Sequence, residues 1–441
     1  MGCDQQLASS FGSSGGESFP NNQTGGDRRT KIIGGLTAKV KLIELFESNS
    51  LTKVVRIKMT QLKSQRHLFD IPPEVAYFNC AYNSPLLIEA GKALVEGAMS
   101  NCRPWQRKPA DFFDDAEKFR KLASRALGGN SECYAVIPSA SYGTSTVARI
   151  FEEKLGRGDE IIVLEKAFPS EYLPWQRLSQ ATDAKLVVVK APTDFNWTQA
   201  VLDCLTTQTK LVAIPNCHWT NGAQLNLLAI SEATHALGAC LSLELTQSLG
   251  ALPLDMDRVS PDFVIAAGYK WLLFPYGLSL FYVDPRWHRE RPLEETWLSR
   301  EGAQVFEKLT NYVASYQSGA RRFEMGQKSI PSLLPGGLVA LRQLGDWGVS
   351  NIADSLEVIN DCIAQVLEET GWAPVPKQYR SPHLLGAFSE GDVPKEFVER
   401  LAGQNVFVSY RENSLRITPH LHVNGHDLSQ LFRVLEREGR Q

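Results

Sequence analysis

From Asp111 onward the apolar positions fall into a repeating order. Phe113, Ala116, Phe119, Leu122 and Ala126 recur at helical spacing, and Gly128-Gly129 ends that stretch. Seven short apolar runs follow: Tyr134–Ile137, Glu160–Leu164, Lys185–Val189, Leu211–Pro215, Cys240–Leu245, Phe263–Ala266 and Leu278–Val283. Most are near-continuous in Val, Ile and Leu, as strands buried on both faces are. Helical stretches such as Ser145–Leu155, Asn196–Thr207 and Leu227–Leu237 separate the first five. The alternation predicts an α/β fold with right-handed crossovers and a seven-stranded, mostly parallel sheet. Such sheets carry their sites at the carboxyl ends of the strands. The last two runs are close in the chain and bring in an antiparallel member.

Beyond residue 330 the pattern changes. Pro331, Pro335, Gly336 and Gly337 punctuate the chain. Helical patterns at Leu338–Trp347 and Ile352–Glu369 precede strand-like runs at Leu384–Phe388, Val406–Tyr410 and Ser414–Ile417, and Asp427–Glu438 closes with a helix. The expected layout is a disordered extension (1–58), an N-terminal arm (59–110), a large domain (111–330) and a smaller α+β domain (331–441). Residues 1–30 are rich in Gly, Ser, Asn and Gln, and Val40–Phe46 allows a helical turn or two. Met1-Gly2-Cys3 invites a lipidation reading that Gln6 opposes, and Asp4, Glu17 and Asp27 oppose a transit peptide. A cytoplasmic location is expected, with targeting through the extension as the alternative.

Composition narrows the function. The net charge of −3 argues against a nucleic-acid partner, and no run of 18 apolar residues suggests a membrane span. Cys3, Cys80, Cys102, Cys133, Cys204, Cys217, Cys240 and Cys362 are scattered and read as reduced, mostly buried residues. No metal is expected: His420, His422 and His426 cluster without a defined ligand set. Trp105 and Asn83 read as packing the N-terminal arm, with lining of the substrate entrance as the alternative.

Three segments carry chemistry. In Phe263–Trp271 an apolar strand runs into Lys270, flanked by Gly268 and aromatic residues. Desolvation there would lower the ammonium pKa, as an imine-forming amine requires; a surface lysine after a strand is the plain alternative. Glu244 interrupts the apolar strand Leu241–Leu245, where a carboxylate near a ring nitrogen would keep a pyridinium protonated; a turn-capping glutamate is the alternative. Ser139-Ala140-Ser141-Tyr142-Gly143 joins the first strand to a helix, placing hydroxyls and free N–H groups where an anion binds, or simply capping the helix. The chain has neither a Walker lysine motif nor G-x-G-x-x-G after a strand, so a nucleotide cofactor is disfavoured.

In this order the segments resemble the class V aminotransferases, fold-type I pyridoxal-phosphate enzymes that include cysteine desulfurases. Glu244–Asp255 resembles the family's D-x-T-Q-x-x-G-x-x-P-x-D, Gly268-Tyr269-Lys270-Trp271 its G-[HY]-K-W, and Pro275-Tyr276-Gly277 the P-x-G that follows. The resemblance implies Lys270 as the Schiff-base lysine, Gln247 at the cofactor's phenolic oxygen, and Glu244 at its ring nitrogen. It also implies Ser141 and Tyr142 at the phosphate, Phe168 stacked on the ring, His218 near the phenolic oxygen and Arg416 on the substrate α-carboxylate. Gln327, in Arg322–Gln327, falls in a loop that reaches the phosphate of the other subunit in the family dimer, so a homodimer with shared sites is implied.

The departures limit the reaction. Glu244 stands where the family has Asp, Tyr269 where many members have His, and Gln327 where the family has Thr. Asn405–Arg411 lacks the cysteine a desulfurase needs. The expected function is a pyridoxal-phosphate enzyme acting on an amino acid, of aminotransferase type. The alternatives are a C–S or other β-lyase, or a non-catalytic cofactor-binding protein.

Overall fold

A computed structural model describes residues 62–438, apart from Asp392, Pro394 and Lys395. The readings for 1–58 lie outside the described residues. The first strand, β1 (Ala76–Tyr77), stands apart, and the next seven form one sheet. They are β2 (Tyr134–Ile137), β3 (Glu160–Leu164), β4 (Lys185–Val189), β5 (Thr209–Ile214), β6 (Cys240–Glu244), β7 (Phe263–Ala267) and β8 (Ser279–Val283), in the order β2-β8-β7-β6-β5-β3-β4. The β4-β3-β5-β6-β7 ladder is parallel, and β8 runs antiparallel between β7 and β2. Four of these strands, β2, β3, β7 and β8, are buried along their whole length, while β4 begins with an exposed Lys185, as an edge strand does. Ile137, Ile161, Val163, Ile265 and Phe281 of the sheet pack with Val147, Trp175 and Leu178 of the covering helices.

The helix after β2 begins at Ala140, not Ser145. Ser139 Oγ accepts a hydrogen bond from Tyr142 N at 3.2 Å and caps it, so a polar first turn with no apolar period still becomes helical. Gly143 lets this turn lie against the sheet. A Cβ there would come within 2.9 Å of Ile265 Cγ2.

A second sheet follows β8: β9 (Trp372–Pro374), β10 (Leu385–Ser389), β12 (Ser409–Arg411) and β13 (Ser414–Ile417), antiparallel in the order β12-β13-β10-β9. The run predicted at Val406–Tyr410 divides because it has two partners. Its first part, β11 (Val406–Phe407), pairs in parallel with β1, through Ala76↔Val406 and Tyr77↔Phe407. Arg66 ties the arm to the closing helix with a 2.6 Å bond to the buried Asp427. Trp105 is 78% exposed and Asn83 is also exposed, so neither packs the arm as expected.

Two buried polar groups hold the frame. Glu324 pairs with both Arg120 and Lys328 (2.6 Å to Lys328), and all three are buried. Where the arm, β7's following turn and the second sheet meet, His383, His420 and His422 sit among Phe69, Trp271 and Trp347. Burial lowers their pKa values to about 4, 3 and 4 respectively, which keeps them neutral. They form no metal cluster with other side chains among the described residues. The described cysteines are all free.

Candidate active site

The carboxyl ends of the strands open into a pocket of about 280 Å³. Its base comes from the turn after β7. Gly268 makes that turn possible, because a Cβ there would lie 2.3 Å from Phe274 Cδ2 and 2.4 Å from Leu278 O. Phe274 N donates to Gly268 O and Leu273 N to Lys270 O, with Leu273 in the left-handed region at φ 58°. The turn delivers Lys270, 7% exposed, into the pocket. Burial pushes its ammonium down to about 8, helped by the cationic Arg416 and Arg411 and opposed by Glu244. The Lys270 Nζ lies 5.7 Å from the Phe168 ring centroid and 5.6 Å from that of Tyr269.

Glu244, at the end of β6, lines the same pocket. Its extra methylene is taken up by folding back on the next turn: Oε1 accepts from Thr246 N at 3.2 Å and from the Thr246 hydroxyl. Thr246 Oγ1 in turn accepts from Ala267 N at 2.8 Å, which ties the carboxylate to the lysine strand. Burial raises the Glu244 pKa, while Thr246 and Lys270 oppose it. Gln247 uses Oε1 to accept from Trp271 Nε1 and one Nε2 hydrogen to donate to Ala81 O at 3.1 Å. One N–H of that amide is left for the pocket.

The helix start supplies the anion cradle. Ser139 and Ser141, their hydroxyl oxygens 2.9 Å apart, line the pocket beside Ala140. The N–H groups of Ala140 and Ser141 lie in the first turn, where no intrahelical acceptor exists. Tyr142 departs from expectation. One residue further round the helix, it packs among the core side chains, its hydroxyl is buried without a partner, and its N–H is held by Ser139.

Phe168 lines the pocket at 41% exposed and meets Trp219 edge-on, with centroids 5.5 Å apart. His218 is part of the wall, but both nitrogens are engaged. Nε2 donates to Glu165 O at 3.1 Å and Nδ1 accepts from the Thr220 hydroxyl at 2.8 Å. Its ring stacks on Trp197 and burial lowers its pKa to about 4, so it offers a face and no free nitrogen. Arg416 on β13 is buried behind Trp219: Nη1 donates to Trp219 O at 2.8 Å and Nε to Ser409 Oγ at 3.0 Å, leaving Nη2 uncommitted. Burial lowers its pKa to about 9, which leaves it cationic at neutral pH. Gln327 is exposed and lies outside this pocket.

Two residues here escaped the sequence reading. Glu171 is 5% exposed, lines the pocket, and keeps Oε1 without a hydrogen-bond partner. The signal was present: Glu171, Trp175 and Leu178 share the buried face of the helix Pro169–Thr182 at helical spacing. Cys217 lines the pocket as well, but burial and Glu244 push its thiol up to about 12, so it is no thiolate.

The sequence model of the aminotransferase class-V family matches residues 86–410. The chain belongs to that family. An uncharacterized aminotransferase of Bacillus subtilis is 24% identical over 317 residues, 71% of this chain and 80% of that protein. The apo cysteine desulfurase of Thermococcus onnurineus superposes with a TM-score of 0.76 at 17% identity, covering 87% of this chain and all of that one. A C-DES mutant with glycine covalently linked to its pyridoxal-phosphate cofactor gives 0.75 at 17%, covering 84% and 99%. A probable cysteine desulfurase of Mycolicibacterium paratuberculosis is 27% identical, but over only 34% of its length. The last three are similar to this chain in fold or in part of their sequence.

Proposed function

We propose that this chain is a pyridoxal-phosphate-dependent enzyme acting on an amino acid, and that the reaction is of aminotransferase type. The observation that carries the reading is the pocket itself. A buried amine held near neutral pKa, an anion cradle and two carboxyl groups line one cavity. They match the aldehyde, the phosphate and the ring nitrogen of the cofactor. When bound, the cofactor withdraws the electrons left behind when a substrate α-proton departs.

The protein's part follows from its side chains. Lys270 holds the cofactor and its Nζ carries the α-proton. Ser139, Ser141 and the helix N–H groups hold the phosphate. Glu244, with Glu171 beside it, meets the ring nitrogen, Gln247 gives its free N–H to the phenolic oxygen, and Phe168 covers the ring. Arg416 takes the substrate carboxylate through Nη2. A desulfurase reaction is not proposed, because neither Cys217 nor the segment before Arg416 offers a thiolate. We propose a homodimer: Trp297, Leu309, Tyr312 and Val313 expose apolar surface, and the exposed Gln327 stands in the loop that, by the family resemblance, would reach the partner's site. The free thiols favour a reducing, cytoplasmic compartment.

The test is a visible spectrum followed by borohydride reduction and peptide mapping. A visible band with the label on Lys270, and a shift of that band with an amino acid, supports the reading. A protein that stays colourless in added pyridoxal phosphate, with no label on Lys270, overturns it. Transfer of the amino group to an added oxo-acid acceptor, with no free ammonia, marks transamination; β-elimination also ends in an oxo acid but needs no acceptor and releases ammonia.

A further inference from the structure

Strands β12 and β13 form a hairpin whose register pairs Ser409 with Arg416 and Arg411 with Ser414. Side chains alternate along a strand, so Ser409 and Arg411 point to one face, and their opposite residues Arg416 and Ser414 share it. The 3.0 Å bond from Arg416 Nε to Ser409 Oγ fixes which face that is. It is the face turned to the lysine pocket, since Arg416 also reaches Trp219 in the pocket wall. Arg411 is the diagonal neighbour of Arg416, a separation of about 7–8 Å that a long side chain spans.

The two guanidiniums are therefore presented together, and their charges act on each other and on Lys270. Neither has a carboxylate partner among the described residues. Arg411 is half-buried and, among the described residues, donates only to its neighbour's carbonyl, Tyr410 O, at 2.8 Å. The nearest acid in sequence, Glu412, is taken by Lys166 at 2.7 Å. Two cations set together behind the Trp219 wall of the pocket, with no carboxylate bonded to either among the described residues, call for an occupant with two negative groups. Nothing in a neutral amino acid requires the second.

We propose that Arg411 sets substrate specificity by binding a side-chain carboxylate, so that the substrates are acidic amino acids, with one carboxylate on Arg416 and the other on Arg411. This rests on the amino-acid enzyme reading above and adds the substrate class. The side chain of Arg411 touches the substrate away from the reacting carbon, so it governs affinity and not proton transfer.

The test uses calorimetric titration of the full chain with succinate and with its monoamide, succinamate. Neither has an amine, so neither reacts, and they differ only in one charge. Succinate is expected to bind at least about tenfold more tightly than succinamate. Arg411→Gln should weaken succinate by about tenfold or more while changing succinamate by less than about threefold, and Arg411→Lys should restore part of the preference. Equal binding of the two ligands, no succinate binding, or a preference that survives Arg411→Gln would each overturn the proposal. An unchanged melting temperature in Arg411→Gln shows that the fold is intact. The titration is run with and without added pyridoxal phosphate. A missing visible band counts against the enzyme reading, while the succinate comparison still reads Arg411.

Discussion

Glu171 and Glu244 line one pocket, and the charge of Glu244 adds to burial in raising the pKa of Glu171 well above the ordinary carboxyl value. Like charges placed together in a dry site cannot both ionise easily. Glu171, with an unpartnered oxygen and no bonded cation among the described residues, is the one that keeps its proton.

Glu171→Gln tests this assignment. A raised folded-state pKa means that the unfolded chain gives up its proton first, so stability is full at low pH and is lost as pH rises above the ordinary carboxyl range. The amide cannot ionise. In the apo protein the variant should match the wild type near pH 4 and exceed it by roughly 1–2 kcal/mol at pH 8. Thermal melts across that range read the difference. A variant less stable at pH 8 would mean that Glu171 is a needed carboxylate.

Lys270 is held near 8 by burial. Its nucleophilic neutral form therefore increases about tenfold per pH unit below 8 and levels off above it. The rate at which apo protein captures pyridoxal phosphate, followed by visible absorbance, should bend near pH 8. A rate still climbing at pH 10 would mark an ordinary solvated lysine. Lys270→Ala should lower turnover by at least about 10²- to 10⁴-fold.

Acid should undo the junction of His383, His420 and His422. Their folded pKa values lie below the ordinary 6.5. The stability they give is present above 6.5 and is lost as pH falls through about 4. Near pH 5, three protons taken up on unfolding amount to about 4 kcal/mol per pH unit. Melting temperature should fall steeply from pH 6 to pH 5, and His420→Phe should flatten that fall by about one proton.

Glu324 compensates two buried cations. Glu324→Gln leaves Arg120 and Lys328 without their anion and should cost about 3–5 kcal/mol, read as a lower thermal midpoint. A loss below 1 kcal/mol would mean that water reaches the cluster.

The sheet and its lysine were legible in sequence because they rest on local signals. Val–Ile runs mark buried strands, and one lysine closing such a run is conspicuous. Arg416 was legible through its motif, but its place behind Trp219 was not. Nothing in spacing shows that the backbone carbonyl of Trp219 will hold the guanidinium. Tyr142 was misplaced because helical phase, not proximity to Ser141, decides which side chain faces the pocket. Glu171 was missed because the stretch between Glu160–Leu164 and Lys185–Val189 was not read as a named helix, so its buried face was never drawn.

The parallel pairing of β1 with β11 has a consequence for synthesis. Ala76 and Val406 are 406 − 76 = 330 residues apart. At roughly 5–20 residues per second, the arm leaves the ribosome about 15–65 s before its partner strand exists. During that interval β1 lacks the strand it pairs with, and the second sheet cannot close until Ser414–Ile417 has been made. The arm is therefore the segment a chaperone would need to shield until its partner strand emerges.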